Sequence, residues 1–163
     1  MENIEEVYKD VRPTIKSGDI LAWTHKSWKS WYDIKIMIVR LMQLSEYCHV
    51  GIAVVGQDRV WIVESVTPLV RIVPLSGELP CYVITGNGLT DKQRLKAISM
   101  IGKAEYSQWE AIKAFFKGNT LNDDRLQCAE FVAEILDLPC KATPSSIVDY
   151  KLSQGASLIK VAE

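Results

Sequence analysis

Three residues of this chain are of a type and in an order that suit the breaking of an acyl bond: His49, Glu64 and Cys128. A cysteine becomes a nucleophile when a base takes its proton, and an imidazole serves best when a carboxylate holds its far nitrogen. Cys128 lies in the run Asp123-Asp124-Arg125-Leu126-Gln127-Cys128-Ala129-Glu130-Phe131-Val132-Ala133-Glu134-Ile135-Leu136. There Leu126, Ala129, Phe131, Val132, Ile135 and Leu136 recur at helical spacing, which predicts an amphipathic helix with one buried stripe. Asp124, with Gln127 three residues on, has the form of an N-cap and its reciprocal partner, so Cys128 is expected in the first turn or just past it. Unpaired N–H groups at a helix start favour a thiolate over a thiol. Two considerations weigh against chemistry. A free cysteine on a helix more often packs than reacts, and Asp123 and Asp124 would oppose ionisation if they lie close to the sulfur.

The search for a base is short, because the chain has only two histidines. His25 sits among lysine and serine in a polar stretch. His49 opens a run rich in Val and Ile that is repeated after Gly56-Gln57-Asp58-Arg59, the pattern of a β-hairpin. With the turn centred on Gln57-Asp58, Val55 pairs with Val60, Gly51 with Glu64 and His49 with Val66. Glu64 is then the diagonal neighbour of His49 on the same face, with Gly51 leaving room for the crossing and Ser65 pointing to the opposite face. The strand around Glu64 is otherwise apolar (Trp61, Ile62, Val63, Val66), and a carboxylate there is costly without a partner. Taken alone, His49 is also what a half-buried strand histidine looks like.

The elements that must position these groups read as one α+β domain over residues 1–163, a length that suits a single core. Residues 1–16 form a polar lead-in, with Pro13 arguing against a helix running through it. Ser17-Gly18-Asp19 is a turn, Ile20-Leu21-Ala22-Trp23 a short strand, and residues 70–74 and 80–84 are two more. Helices are expected over residues 90–103, with Leu95, Ile98, Met100 and Ile101 inside, and over 109–117. Thr143-Pro144-Ser145-Ser146 opens a short turn or helix to Tyr150. The stretch opened by Trp28 and closed by Gln43 carries Trp31, Ile34, Ile38, Leu41 and Met42 at helical spacing, with Lys29, Lys35 and Arg40 among them. It is too short and too charged to span a bilayer. It reads as a core-packing helix, or as a greasy lip or interfacial segment beside a groove.

Composition excludes several classes. A net charge of −1 and the lack of a dense basic stripe disfavour nucleic acid as a partner. The 4 cysteines (Cys48, Cys81, Cys128, Cys140) are scattered, with neither zinc-site spacing nor the density of a disulfide scaffold, which suits a reducing compartment. The first ten residues are acidic and lack an apolar core, so no signal peptide is expected and the chain is cytoplasmic as synthesised. No metal or organic cofactor is implied.

Ser17-Gly18-Asp19-Ile20-Leu21, Cys48-His49-Val50-Gly51-Ile52-Ala53-Val54, Val60-Trp61-Ile62-Val63-Glu64-Ser65 and Cys128-Ala129-Glu130-Phe131-Val132 together resemble a circularly permuted, NlpC-type papain-like cysteine hydrolase. The similarity is to the YiiX/YaeF-like branch, related to the lecithin:retinol acyltransferase-like enzymes, and covers residues 17–150. Gln127, Tyr106 with Trp109, and Thr143-Pro144 resemble the family's layout. Cys48 stands where the family has a small serine, and Ala129 where it has a serine after the nucleophile. The resemblance implies a small antiparallel sheet or barrel packed against helices, with the nucleophile at a helix N-terminus. It implies Cys128 as nucleophile, His49 as general base and acid, and Glu64 as the residue that orients the imidazole. The backbone N–H of Cys128 and the Tyr106 hydroxyl are candidate oxyanion partners, and Gln127 joins Tyr106 as a candidate for substrate binding.

The implied reaction is cleavage of an amide bond through a thioester, with a cell-wall (peptidoglycan) peptide as substrate. A wall hydrolase without a leader would be phage-encoded or released by lysis. The acyltransferase relatives imply a second reading, acyl transfer or deacylation of a lipid-like substrate, in which Trp23, Trp28 and Trp31 line an acyl groove. A third is a non-catalytic binding module or phage structural part that keeps the fold.

Overall fold

The turn Ser17-Gly18-Asp19 delivers the chain into the strand on which the sheet is assembled. A computed structural model of the chain describes residues 4–24, 46–66, 69–102, 124–139 and 143–161, with Ile4 and residues 124–127 described by backbone only. Gly18 adopts φ +99, and a Cβ there would lie 2.7 Å from the carbonyl carbon of Gly88, so no other residue fits. Asp19 is buried and accepts the backbone N–H groups of Lys16 at 2.8 Å and Gly86 at 2.7 Å. One carboxylate thereby ties the entry of the first strand to the loop after the fifth.

That strand, β1 (Ile20–Trp23), pairs antiparallel with β2 (His49–Val55) and with β5 (Cys81–Ile84). Outward from β2 lie β3 (Val60–Val66) and β4 (Leu69–Pro74), and outward from β5 lies β6 (Leu158–Val161). The result is one open six-stranded sheet in the order β4-β3-β2-β1-β5-β6, and it does not close into a barrel. The hairpin has the expected register, with Val55 opposite Val60 and Ile52 opposite Val63.

Four α-helices flank the sheet among the described residues: α1 (Ile4–Val11), α2 (Asp91–Met100), α3 (Asp124–Leu136) and α4 (Pro144–Ser153). Because side chains alternate across a strand, the sheet has two apolar faces. One, carrying Ile20, Ala22, Val50, Ile52, Val63 and Ile84, packs on α3 and α4 through Phe131, Val132, Ile135, Ile147 and Val148. Burial of side chains such as Phe131 and Ile135 contributes about 1.5–3 kcal/mol each. The other face, carrying Leu21, Ala53, Ile62 and Val83, meets Ile15, Leu75 and Val161, with Tyr8 and Val11 of α1 against it.

Several elements differ from expectation. The polar lead-in contains α1, which ends at Val11 before a 3₁₀ turn that holds Pro13. Its few apolar residues fall on one side, and that side docks on the sheet. β6 was not expected. In α2 the buried residue is Ala97, and Met100 and Ile101 pack on the core as expected, while Leu95 is 67% and Ile98 49% exposed. The small side chain lets the helix approach closely, so the larger ones flank the contact. The start of α4 matches its sequence, for Thr143 accepts Ser146 N–H at 3.1 Å and Ser146 Oγ accepts Thr143 N–H at 3.0 Å. The expected helices at 28–43 and 109–117, with His25, Tyr106 and Cys140, lie outside the described residues. No helix among the described residues is long and apolar enough to cross a membrane.

Candidate active site

Glu64 sits mid-strand in β3 with its side chain only 3% exposed, and its two oxygens are divided between two cations. Oε2 takes Nε2 of His49 at 2.5 Å. Oε1 takes both Nε of Arg71 at 2.7 Å and its Nη2 at 2.6 Å. Burial works to raise the carboxyl's pKa, but the bonds and charges of His49 and Arg71 outweigh it and hold Glu64 below the usual carboxylate range. An ionised carboxylate only accepts, so the proton of the short contact belongs to His49 Nε2. The diagonal placement expected of His49 and Glu64 is therefore the observed one, and Gly51 backs directly on the Glu64 side chain.

His49 is the first residue of β2 and its side chain is 25% exposed. Its partner across the β1–β2 ladder is Trp23, whose ring lies 5.5 Å away and tilted by 46°. The indole is itself held, since Trp23 Nε1 donates to the carbonyl of Glu78 at 2.6 Å. The preceding residue is anchored too: Cys48 N–H donates to the Trp23 carbonyl at 2.9 Å, and its thiol to the same oxygen at 3.3 Å. Cys48 thus leaves neither its N–H nor its thiol without an acceptor.

The third member arrives from the helix. A hydrogen bond joins the side chains of His49 and Cys128. Burial disfavours the imidazolium, yet the bonds and charges of Cys128 and Glu64 raise the histidine's pKa from 6.5 to about 10. By strand alternation His49 and Glu64 share the face of Ala53 and Ile62, whereas Cys128 packs in the cluster of Val50, Ile52 and Val63. His49 is the first residue of β2, so thiol and imidazole meet at the end of that strand.

Two expectations about Cys128 change. Asp124 is itself helical, so it is no N-cap, and Cys128 lies a full turn beyond it in α3. The helix-terminus field falls off within the first turn. An α-helical ladder also directs the Cys128 N–H to the Asp124 carbonyl, which leaves it a poor oxyanion donor. The sulfur is moreover fully buried, at 0% exposure. Of the other candidates, Tyr106 lies outside the described residues and Gln127 is described by backbone alone.

Arg71 was missed by sequence reasoning. Its signal was available in principle, because β3 and β4 place Glu64 opposite Arg71. Finding it required the register across the connection at 67–68, where no strong turn motif sets the pairing. Among the described residues no group of three or more His, Cys, Asp or Glu side chains is arranged to hold a metal ion.

The chain is similar to a solved structure of the metalloprotein YiiX from Escherichia coli O157:H7, with 22% sequence identity over 85% of this chain and 81% of that one, at a TM-score of 0.48. No protein-family model and no curated protein matches the chain.

Proposed function

We propose that this protein is a cysteine hydrolase of permuted papain-like type that cleaves an amide bond through a thioester. The observation that supports it is the continuous chain Cys128, His49, Glu64, in which His49 bonds the thiol and its Nε2 lies 2.5 Å from a buried carboxylate. His49 takes the Cys128 proton through the ring nitrogen that Glu64 leaves over, and the Glu64 carboxylate stabilises the imidazolium that results. The sulfur then attacks the carbonyl carbon. The C–N bond breaks as His49 returns the proton to the departing amine, leaving an acyl thioester on Cys128. A water gives one proton to His49, its oxygen bonds the acyl carbon, and the carboxylic acid departs as the thiol regains that proton. The resemblance in the sequence motifs points to a cell-wall peptide as the acyl donor.

Complete burial of Cys128 favours a second reading, a non-catalytic module in which the cysteine packs. One experiment separates the two. Intact-mass labelling with iodoacetamide across pH is run on wild type, Cys128→Ala and His49→Ala. The hydrolase reading expects one fast site below the ordinary thiol pKa of about 8.5, absent in Cys128→Ala and slowed in His49→Ala. Labelling of Cys128 no faster than that of the other cysteines, or indifferent to His49, sinks it. A surviving fast site then justifies assays on peptidoglycan fragments.

A further inference from the structure

The residues that hold His49 are themselves held by one short segment. Arg71, in the middle of β4, closes on Glu64 Oε1 through Nε at 2.7 Å and Nη2 at 2.6 Å. Glu78, after the 3₁₀ turn Leu75–Gly77 that follows β4, accepts Arg71 Nη2 on its carboxylate at 3.3 Å. The same Glu78 accepts Trp23 Nε1 on its main-chain carbonyl at 2.6 Å. Trp23 lies over His49, and Glu64 bonds it. Both supports of the imidazole are thus fastened from behind by residues of one strand and the turn after it.

We infer that Arg71, anchored by Glu78, is a positioning residue of the reaction, fixing the plane of the Glu64 carboxylate so that Oε2 alone is presented to His49. The inference rests on the cysteine hydrolase reading. A guanidinium is a rigid planar fork, and two of its N–H groups on one oxygen define where the other oxygen points. Lysine offers a point charge without that geometry. The charged and titratable groups facing Glu64 are His49 from β2, Arg71 from β4 and Glu78 from the turn beyond it, with Cys48 beside the histidine and Cys128 of α3 reached through it. Arg71 is the only cation of this set besides His49. Without it, Glu64 keeps a buried negative charge next to Glu78, and every acid in the cluster gives up its proton at higher pH.

Charge and geometry can be read apart in the pH profile of Cys128 alkylation by iodoacetamide, measured on the full chain for wild type, Arg71→Gln, Arg71→Lys and Glu78→Gln. The position of the acid limb reports charge, and the plateau rate reports orientation. Arg71→Gln is expected to move the limb up by about one pH unit and to lower the plateau about tenfold or more. Arg71→Lys keeps the limb in place but shares the fall in plateau. Glu78→Gln, which retains the carbonyl that holds Trp23, shifts the limb slightly downward. Arg71 variants that only lower the melting temperature, with limb and plateau as in wild type, overturn the inference while the hydrolase reading stands. A wild type whose Cys128 labelling ignores His49 removes both. Because Arg71 is 41% exposed, Arg71→Lys is expected to fold and keeps the test decisive if Arg71→Gln does not.

Discussion

Gly51 stands so close behind Glu64 that a methyl group on it would lie 3.2 Å from the Glu64 Cβ and 2.8 Å from Ile62 Cγ2. The contact is on the face where Glu64 crosses toward His49, so the missing side chain at Gly51 is part of the site's geometry. Gly51→Ala forces the two strands apart or tilts Glu64. The expected cost is about 1–3 kcal/mol in urea unfolding, together with slower alkylation of Cys128. Normal reactivity in a destabilised Gly51→Ala would show that the close approach serves packing alone.

Cys128→Ala tests whether the buried thiol is needed for the fold. Apart from His49 its neighbours are apolar and the change removes one atom of side chain, so the loss should be about 1 kcal/mol, with unchanged circular dichroism. Hydrolase activity, once a substrate is in hand, should vanish. A variant that fails to fold would assign the cysteine to packing.

The pair of Glu64 and His49 makes stability depend on pH in a way whose sign is fixed. His49 has its pKa raised to about 10, so its contribution is complete below the ordinary 6.5 and is lost as pH rises through about 10. Glu64 has its pKa lowered, so its contribution is complete above 4.5 and is lost as pH falls through its folded value. These describe one interaction seen from its two ends. The buried Cys81 thiol, pushed up to about 12, adds its own loss above the ordinary 9.0. The informative quantity is therefore the difference in melting temperature between wild type and His49→Ala. It should be widest between about pH 4.5 and 6.5 and shrink as pH rises toward about 10 or falls into the acid range, and a difference that stays constant with pH would contradict the ion pair.

Asp19 carries the junction between β1 and the loop after β5. Asp19→Ala leaves the N–H groups of Lys16 and Gly86 without their acceptor, at about 2–3 kcal/mol. Asp19→Asn keeps one acceptor oxygen and should recover about half. Both are measured by urea unfolding, and equal losses in the two variants would mean that the charge, rather than the hydrogen bonds, matters at Asp19.

Most of the site was legible because it depends on local pairing. The turn at Gly56 to Arg59 sets the hairpin register, and a lone carboxylate among Trp61, Ile62 and Val63 demanded partners, of which the diagonal His49 is one. Arg71 escaped because an arginine in a strand looks like a solvent-facing residue until the next strand pairing is known. Helix α1 escaped for a different reason. Ile-Glu-Glu-Val-Tyr-Lys-Asp-Val is half charged, and its helicity depends on docking Tyr8 and Val11 on a face formed far along the chain. The opposite error occurred in α2, where Leu95 and Ile98 suggested an inner face that the small Ala97 occupies. Hydrophobicity shows that a helix has an inside, but the closeness of approach decides which residues reach it.

The order of the chain has a consequence for how the protein is made. His49 and Glu64 belong to strands synthesised early, and Cys128 rides on a helix that leaves the ribosome much later. Strands β1 to β5 can pair with one another while α3 is still unmade, since domains assemble from the N-terminal side during translation. Under the proposed hydrolase reading, a nascent or truncated chain then holds the base without the nucleophile. It also exposes the face of Ile20, Val50, Ile52 and Val63 that α3 and α4 would cover. On the hydrolase reading, incomplete copies are harmless toward acyl bonds as well as conspicuous to chaperones; α3 ends the first condition, and α3 with α4 the second.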